Sequence, residues 1–260
     1  MNASLNKTYI WWKFLSLVAL VNIAVWIWAY SMYADMLHFS TAQLVLSGCY
    51  VLVCAFRSFF PRIDLERYCL FDTPLSSIVL GRSLATLAEL CFSAQVAILV
   101  HDLGHYLNSP GIVAVSYALV PIIVAAQLAC WYATLTLNHF WHGIEEALWI
   151  LMIALVAGSF TVAYFQLSDF LQSLMLVGIA ACVSAGYIML FVDIPMYFAR
   201  TRRSVRKGHK YLALAEGMRD AWNRRVPTSD WAVWKHEVVW ISAYFTVGVW
   251  LSIGMIFVSF

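Results

Sequence analysis

Seven apolar stretches, each about as long as the ~20 residues that a helix needs to cross a bilayer, dominate this chain. They cover roughly residues 10–33, 41–60, 76–101, 111–135, 142–166, 171–198 and 236–258. In lipid, a helix is the element that pairs all of its own backbone groups. The composition agrees, because 63% of the residues are hydrophobic and only 12% are charged. The sequence therefore predicts an all-α polytopic membrane bundle of about seven helices, forming one integral membrane domain over residues 1–260.

The basic residues predict the orientation of the bundle. With seven spans, the N-terminus and the second, fourth and sixth loops share one side of the membrane. Of the 16 Lys and Arg residues, 15 lie at the N-terminus, in the second loop, or in the sixth loop and its flanks. The remaining one, Arg82, lies in the half of the third span that adjoins the same side. Lys and Arg concentrate in cytoplasmic loops. We expect a cytoplasmic N-terminus and an outside C-terminus, in a plasma or inner membrane.

The cytoplasmic loop 199–235 has a helical pattern of its own. Apolar residues recur at helical spacing opposite a basic face, and Pro227 is expected to end the helix. The apolar positions are Tyr211, Leu214, Ala215, Met218 and Trp222, and the basic ones are Lys210, Arg219 and Arg224. The pattern predicts a basic amphipathic helix lying on an anionic leaflet. The alternative is a tether that only helps to set topology. No folded nucleic-acid motif accompanies the charges, so no nucleic-acid partner is expected.

The stretch NHFWHGIEEALW, residues 138–149, places four ionisable groups where the fifth span begins. At 100° per residue, His139, His142, Glu145 and Glu146 fall within about 120° of arc, which is the width of one helical face. That face should point toward other helices. An acidic residue in a first helical turn also complements the helix dipole, which is a purely structural explanation for one glutamate.

Three other spans offer partners at a similar depth. Glu89 continues a polar seam from Arg82 in the third span, Asp193 precedes Pro195 in the sixth, and His236 and Glu237 open the seventh. Ionisable residues at membrane depth are functional-site hypotheses because unpaired charge there is costly. We expect Glu89, His142, Glu146, Asp193 and His236 to meet in one inner-leaflet cavity. Individually, Glu89 could pair with Arg82, Asp193 with a loop arginine, and His236 could be an interfacial residue.

Nitrogen and carboxylate oxygen suit iron, manganese or zinc, so this set predicts one or two divalent metals. The expected metal ligands are His142, Glu146, His236 and Glu237, and the expected catalytic groups are Glu89, Glu145 and Asp193. If no metal is bound, protons must neutralise the carboxylates instead. The six cysteines form no Cys-x-x-Cys pair and are interpreted as packing residues.

Two further groups of residues lie near the membrane surfaces. Arg57, Arg62 and Arg67 of the second loop, with Arg82, could bind the phosphate or carboxylate of a substrate headgroup, or could only anchor the positive side. On the outer face, HDLGH places His101 and His105 one turn apart with Asp102 between them, and His38 and Asp169 lie in the neighbouring outer loops. These residues could form a small metal site, although a solvated helix end is the simpler interpretation.

Taken together, these patterns favour a membrane enzyme, metal-dependent and acting on a lipid-like or hydrophobic substrate. One alternative is a proton- or ion-coupled transporter or channel. Another is a non-catalytic subunit of a membrane complex, whose charges form interhelical salt bridges.

Overall fold

The computed structural model describes residues 3–33, 40–208, 210–258 and 260 of the chain. Within these residues, seven helical segments are long and apolar enough to cross a membrane, which confirms the predicted number of spans. The first five segments are α1 (Ala3–Tyr33), α2 (Thr41–Phe59), α3 (Ile78–Tyr106), α4 (Pro110–Thr136) and α5 (His139–Tyr164).

The sixth segment is a single 38-residue helical run, Asp169–Arg206. It comprises α6 (Asp169–Ile188), a π-helical turn (Met189–Asp193) and α7 (Ile194–Arg206). Pro195 follows the π-helical turn. Because a proline has no backbone N–H, it cannot donate to the carbonyl four residues before it, and the regular α-helical hydrogen bonding is interrupted at this point. The helix continues eight residues beyond the predicted span end at 198, and arginines in its last turn complement the C-terminal dipole.

The seventh segment is also interrupted by a π-helical turn. It consists of α10 (Val238–Ala243), the turn Tyr244–Gly248 and α11 (Val249–Met255). The side-chain amide of Asn22 donates to the carbonyl oxygen of Phe245 at 2.9 Å. This contact satisfies a backbone group within the irregular turn, so the turn is tied to α1. His236 and Glu237 precede α10 by one or two residues instead of opening the helix.

Short elements complete the chain between the second and third spans and between the sixth and seventh. They are β1 (Arg62–Ile63), β2 (Tyr68–Cys69), a 3-10 turn (Pro74–Ser76), α8 (Leu214–Asn223), β3 (Val226–Pro227) and α9 (Trp231–Trp234). In the sheet, β2 lies between antiparallel β1 and parallel β3. Within loop 199–235, α8 covers only part of the predicted helix, because Lys210, Tyr211 and Arg224 lie outside it. It ends at Asn223, and Pro227 lies in β3 and does not terminate it. That this helix lies on a membrane surface stays a prediction.

The chain divides into two compact units. Unit 1 comprises residues 1–95 and 218–259, and unit 2 comprises residues 96–217 and Phe260. The core of unit 1 is rich in aromatic side chains, with Trp11 and Trp234 in contact at 5.6 Å between ring centroids. Trp234 is fully buried and donates its indole N–H to the carbonyl of Thr228 at 2.8 Å.

Unit 2 is built on consecutive helices, with α4 packed on α5 and α5 packed on α6 and α7. The run Asp169–Arg206, which contains α6 and α7, is the least covered of the seven segments, because only 6% of its most apolar stretch is buried. Leu176, Val177 and Val183 on α6 are more than half exposed. Large apolar side chains exposed on a long helix are expected to contact lipid.

Candidate functional site

A tight connection between α4 and α5 places the candidate site. Leu137 adopts a left-handed conformation with φ of 58°, and the side chain of Asn138 caps α5 by accepting from the backbone N–H of Phe140. Only these two residues join the antiparallel helices, so residues at equal distance from the turn lie opposite each other. Cys130 of α4 is therefore brought to the face of α5 that carries Glu145.

The exposure pattern of α5 agrees with the polar face predicted from the sequence. His142 and Glu145 are buried, at 6% and 7% exposed, whereas Phe140 and Leu151 on the opposite face are 41% and 46% exposed. The helix thus buries its ionisable side and exposes its apolar side. This is the arrangement expected for a helix that faces lipid on one side and protein on the other.

Three side chains of different chemistry converge behind this face. His142 Nδ1 lies 2.6 Å from Glu145 Oε2, and donor atoms of Cys130, His142 and Glu145 all lie within 4.8 Å of one another. Cys130 is fully buried. Because an ionised carboxylate only accepts, Nδ1 donates and the proton is assigned to it. His142 Nε2 then carries a lone pair, and it is a buried atom with no hydrogen-bond partner among the described residues.

Tyr197 of α7 covers this group. Its ring stacks on His142, with centroids 5.1 Å apart and planes at 24°, and lies 6.5 Å from the ring of His139. The tyrosine interacts electrostatically with Glu146, Glu145 and Asp193. Three acidic groups, two histidines and the thiol of Cys130 are thus gathered around one phenol in unit 2.

A glycine allows α7 to approach α5 this closely. A β-carbon at Gly143 would lie 3.2 Å from the ring of Phe198, which is tighter than an ordinary contact. Asp193, four residues before Tyr197, ends the π-helical turn, and its Oδ2 is buried with no hydrogen-bond partner in the part of the chain that the structure describes. The expected pairing of Asp193 with a loop arginine is not among the ion pairs of the described residues.

The donor set fits a transition metal. Thiolate, imidazole and carboxylate are the protein ligands of zinc, at about 2.0–2.3 Å from the ion, and sulfur also suits iron better than it suits manganese. The carboxylate of Glu145 holds Nδ1, which is the usual way in which a second group orients a ligating histidine. The unpartnered Nε2 of His142 is the atom left to bind. Of the His, Cys, Asp and Glu residues described, this is the group of three close enough to hold an ion.

The remaining predicted site residues of the bundle lie in unit 1. Arg82 Nη2 donates to Glu89 Oε1 at 2.6 Å, and both residues are buried. The ion pair is the simpler interpretation that the sequence left open for Glu89. His236 is exposed, and Glu237 is half-buried. That Glu89 and His236 join His142, Glu146 and Asp193 in one cavity stays a prediction, as do the metal-binding roles of Glu146, His236 and Glu237.

The four arginines predicted to bind a headgroup also lie in unit 1, in different surroundings. Arg67 is fully buried with φ of 61°, and it donates to the carboxylate of Asp220 at 2.9 Å and to the backbone carbonyl of Asp64 at 2.8 Å. These contacts join the second loop to α8. Arg57 lies over the ring of Phe245 at 5.6 Å. Arg82 is paired with Glu89, and Arg62 donates to the backbone carbonyl of Ser77.

The outer histidines form a pair. The rings of His101 and His105 lie 4.5 Å apart edge to face, and His101 Nδ1 is 3.3 Å from the hydroxyl of Ser116. They do not join a third His, Cys, Asp or Glu ligand among the residues described. His38 lies outside the described residues.

Sequence reasoning missed two members of the site. Cys130 was interpreted as a packing residue, and Tyr197 was not considered. Counting outward from the two-residue connection at Leu137 and Asn138 would have placed Cys130 opposite Glu145, because antiparallel helices joined by a tight turn pair in that way. For Tyr197, the signal is its spacing of one helical turn from Asp193.

No protein-family model, no curated protein and no solved structure matches this chain. The class of protein therefore follows from the fold alone. Seven long apolar helices are the architecture of a multi-pass integral membrane protein.

Proposed function

We propose that this protein is an integral membrane enzyme that binds a divalent transition metal, zinc or iron, through Cys130 and Nε2 of His142, with Glu145 holding the imidazole through Nδ1. The single observation that carries the proposal is the burial of these three donors within 4.8 Å of one another on the α4–α5 hairpin. A structural role explains it less well. A histidine that only packs would not leave Nε2 buried and unpartnered while its other nitrogen is held by a carboxylate.

The cost of charge at membrane depth also supports a metal. Glu145, Glu146 and Asp193 all interact with Tyr197, so three carboxyl groups share one region of unit 2. Carboxylates brought together in a membrane must be neutralised by a cation or by protons. A divalent ion does so while the carboxylates stay ionised.

The substrate class follows from the position of the site. His142 lies near the start of α5, at the end of the span that the distribution of Lys and Arg places on the cytoplasmic side. A site at that depth is reached most directly by a molecule that already resides in the leaflet. The proposed substrate is therefore lipid-like or hydrophobic, with its reactive group near the headgroup region.

The chain's own groups then have defined tasks. Glu145 orients the imidazole of His142 through Nδ1, and the ring of Tyr197 covers one face of the imidazole and shields it from water. Glu146 and Asp193, which interact electrostatically with Tyr197, are the carboxyl groups proposed to accept or deliver a proton. A bound metal ion would supply Lewis acidity toward a carbonyl or phosphoryl oxygen, or would activate water.

Metal analysis of detergent-purified protein tests the proposal. About one zinc or iron per chain is expected, falling several-fold or more in His142→Ala and in Cys130→Ser. The matched control is Cys182→Ser, which changes a half-buried cysteine of α6 and should leave the metal in place. Metal content that is equally low in the folded wild type and in all variants would contradict the proposal.

The same samples distinguish the main alternative. A folded, metal-free wild type whose conformation or ion flux depends on pH, with the dependence lost in Glu89→Gln, would favour a proton-coupled transporter. The observation behind that alternative is the buried Arg82–Glu89 pair of α3.

A further inference from the structure

Arg62 of β1 is a buried arginine whose guanidinium is only partly used. The residue is 3% exposed. Its Nη1 donates to the backbone carbonyl of Ser77 at 2.8 Å and to that of Leu75 at 3.3 Å. Both acceptors belong to the segment between β2 and α3, so these contacts fix one end of the guanidinium.

The other edge of the guanidinium has no hydrogen-bond partner among the described residues. Nε and Nη2 are both buried and make no hydrogen bond to any described residue. These two nitrogens lie on the same side of the planar group and direct their N–H bonds nearly parallel. That geometry is the fork with which arginine binds two oxygens of a carboxylate or a phosphate at once.

The surroundings hold this edge in place. The guanidinium carbon lies 5.5 Å from the centroid of the Phe56 ring, and a β-carbon at Gly81 would overlap the guanidinium. Because Gly81 has no side chain, the guanidinium of Arg62 can pack directly against the first turn of α3. A fork that is fixed before a ligand arrives loses little entropy when it binds.

The local charge is positive. Burial, and next the nearby charge of Arg57, lower the pKa of Arg62 to about 10, with a smaller contribution from Arg82, while Asp64 acts in the opposite direction. Asp64 forms no ion pair with Arg62 in the described structure. The guanidinium is still charged at neutral pH. A buried, charged group without a counterion is strongly unfavourable, so a bound anion would relieve the cost.

We propose that the Nε–Nη2 edge of Arg62, with the charge of Arg57 beside it, is a binding site for a phosphate-type oxyanion. A phosphate is favoured over a single carboxylate because two arginine charges act on one location. Arg62 follows the last turn of α2, at the predicted headgroup level, so the phosphate can come from a lipid headgroup or from solution. The site lies within unit 1 and stands independently of the metal proposed in unit 2.

Thermal unfolding of the purified protein, followed by the fluorescence of its 12 tryptophans, measures this binding. One arm titrates inorganic phosphate, and a second titrates short-chain phosphatidic acid, with the neutral short-chain diacylglycerol as the lipid control. Arg62→Lys keeps the charge but removes the fork. The matched control is Arg202→Lys, which changes an exposed arginine of α7 in the same way.

Saturable stabilisation of the wild type by at least one phosphate probe is expected, and the apparent Kd should rise about tenfold or more in Arg62→Lys but not in Arg202→Lys. Stabilisation by phosphatidic acid alone would identify a lipid headgroup, and stabilisation by both would identify the phosphate group itself. If Arg62→Lys does not fold, Arg57→Gln serves as the second variant and should weaken binding. No saturable response in the wild type, or equal weakening in Arg62→Lys and Arg202→Lys, would overturn the proposal.

Discussion

The proposed site of each unit contains buried polar atoms without a hydrogen-bond partner among the described residues, and these atoms differ in kind. In the Arg62 site of unit 1 they are donors, Nε and Nη2 of the guanidinium. In the site of unit 2 they include two acceptors, Nε2 of His142 and Oδ2 of Asp193. Buried polar groups in folded proteins normally find partners. The contrast is the one expected if the two proposed ligands have opposite charge, an anion in unit 1 and a metal cation in unit 2.

Several other buried polar groups of unit 1 pair with one another. The amide of Gln95 donates to the backbone carbonyls of Gln43 and Ser252 and accepts from the hydroxyl of Ser252. Arg67 pairs with Asp220 in the same unit. In these contacts the hydrogen bonds are made within the chain. The Nε–Nη2 edge of Arg62 differs from them because it has no hydrogen-bond partner among the described residues.

The largest expected effect concerns the closed pair of unit 1. Arg82→Met leaves Glu89 buried without its cation, and breaking such a pair costs about 3–5 kcal/mol of unfolding free energy. The double variant Arg82→Met/Glu89→Met should recover most of that loss, because no charge is left unpaired. Denaturant unfolding in detergent measures both. If the single variant is as stable as the wild type, the pair does not contribute in the way described here.

A smaller effect is expected at the aromatic cover of unit 2. Tyr197→Ala removes the ring stacked on His142 and should weaken metal binding about 10–100-fold, as is typical for groups that orient metal ligands. Tyr197→Phe keeps the ring and should change affinity by less than about threefold. Competition with a chelator measures the affinities. Equal losses in both variants would show that the hydroxyl, and not the stacking, is what matters.

The smallest expected effect concerns Asp64, whose carboxylate opposes the positive charge around Arg62. Asp64→Asn removes a repulsive charge near the proposed anion, so the apparent Kd for phosphate should fall by about two- to threefold. The phosphate titration described above measures this change. Weaker binding in Asp64→Asn would contradict an anion at the Arg62 edge.

The sequence predicted the helices well because the length of an apolar stretch is a direct physical requirement for crossing a bilayer. The burial of His142 and Glu145 was predicted from helical periodicity, because residues three apart lie on the same face of a helix. The π-helical turns at Met189–Asp193 and Tyr244–Gly248 were not predicted, since a one-residue widening of a helix leaves no periodic signal.

Contacts between helices were harder to predict. The sequence offered no reason to distinguish Arg62 from Arg67. In the structure, Arg67 pairs with Asp220, whereas the Nε–Nη2 edge of Arg62 has no hydrogen-bond partner among the described residues. The difference depends on the left-handed backbone at Arg67 and on the close approach of Arg62 to Gly81, neither of which the sequence shows. Cys130 was missed because a cysteine in an apolar helix is usually a packing residue. Its role depends on a neighbour in the next helix.

The central claim, a metal held by the α4–α5 hairpin, is tested most directly by X-ray absorption spectroscopy of the purified protein. The account predicts one sulfur neighbour at about 2.3 Å from the metal and nitrogen or oxygen neighbours at about 2.0–2.2 Å. The sulfur signal should disappear in Cys130→Ser and persist in Cys182→Ser. A metal environment without sulfur, or a sulfur signal that survives in Cys130→Ser, would contradict the site.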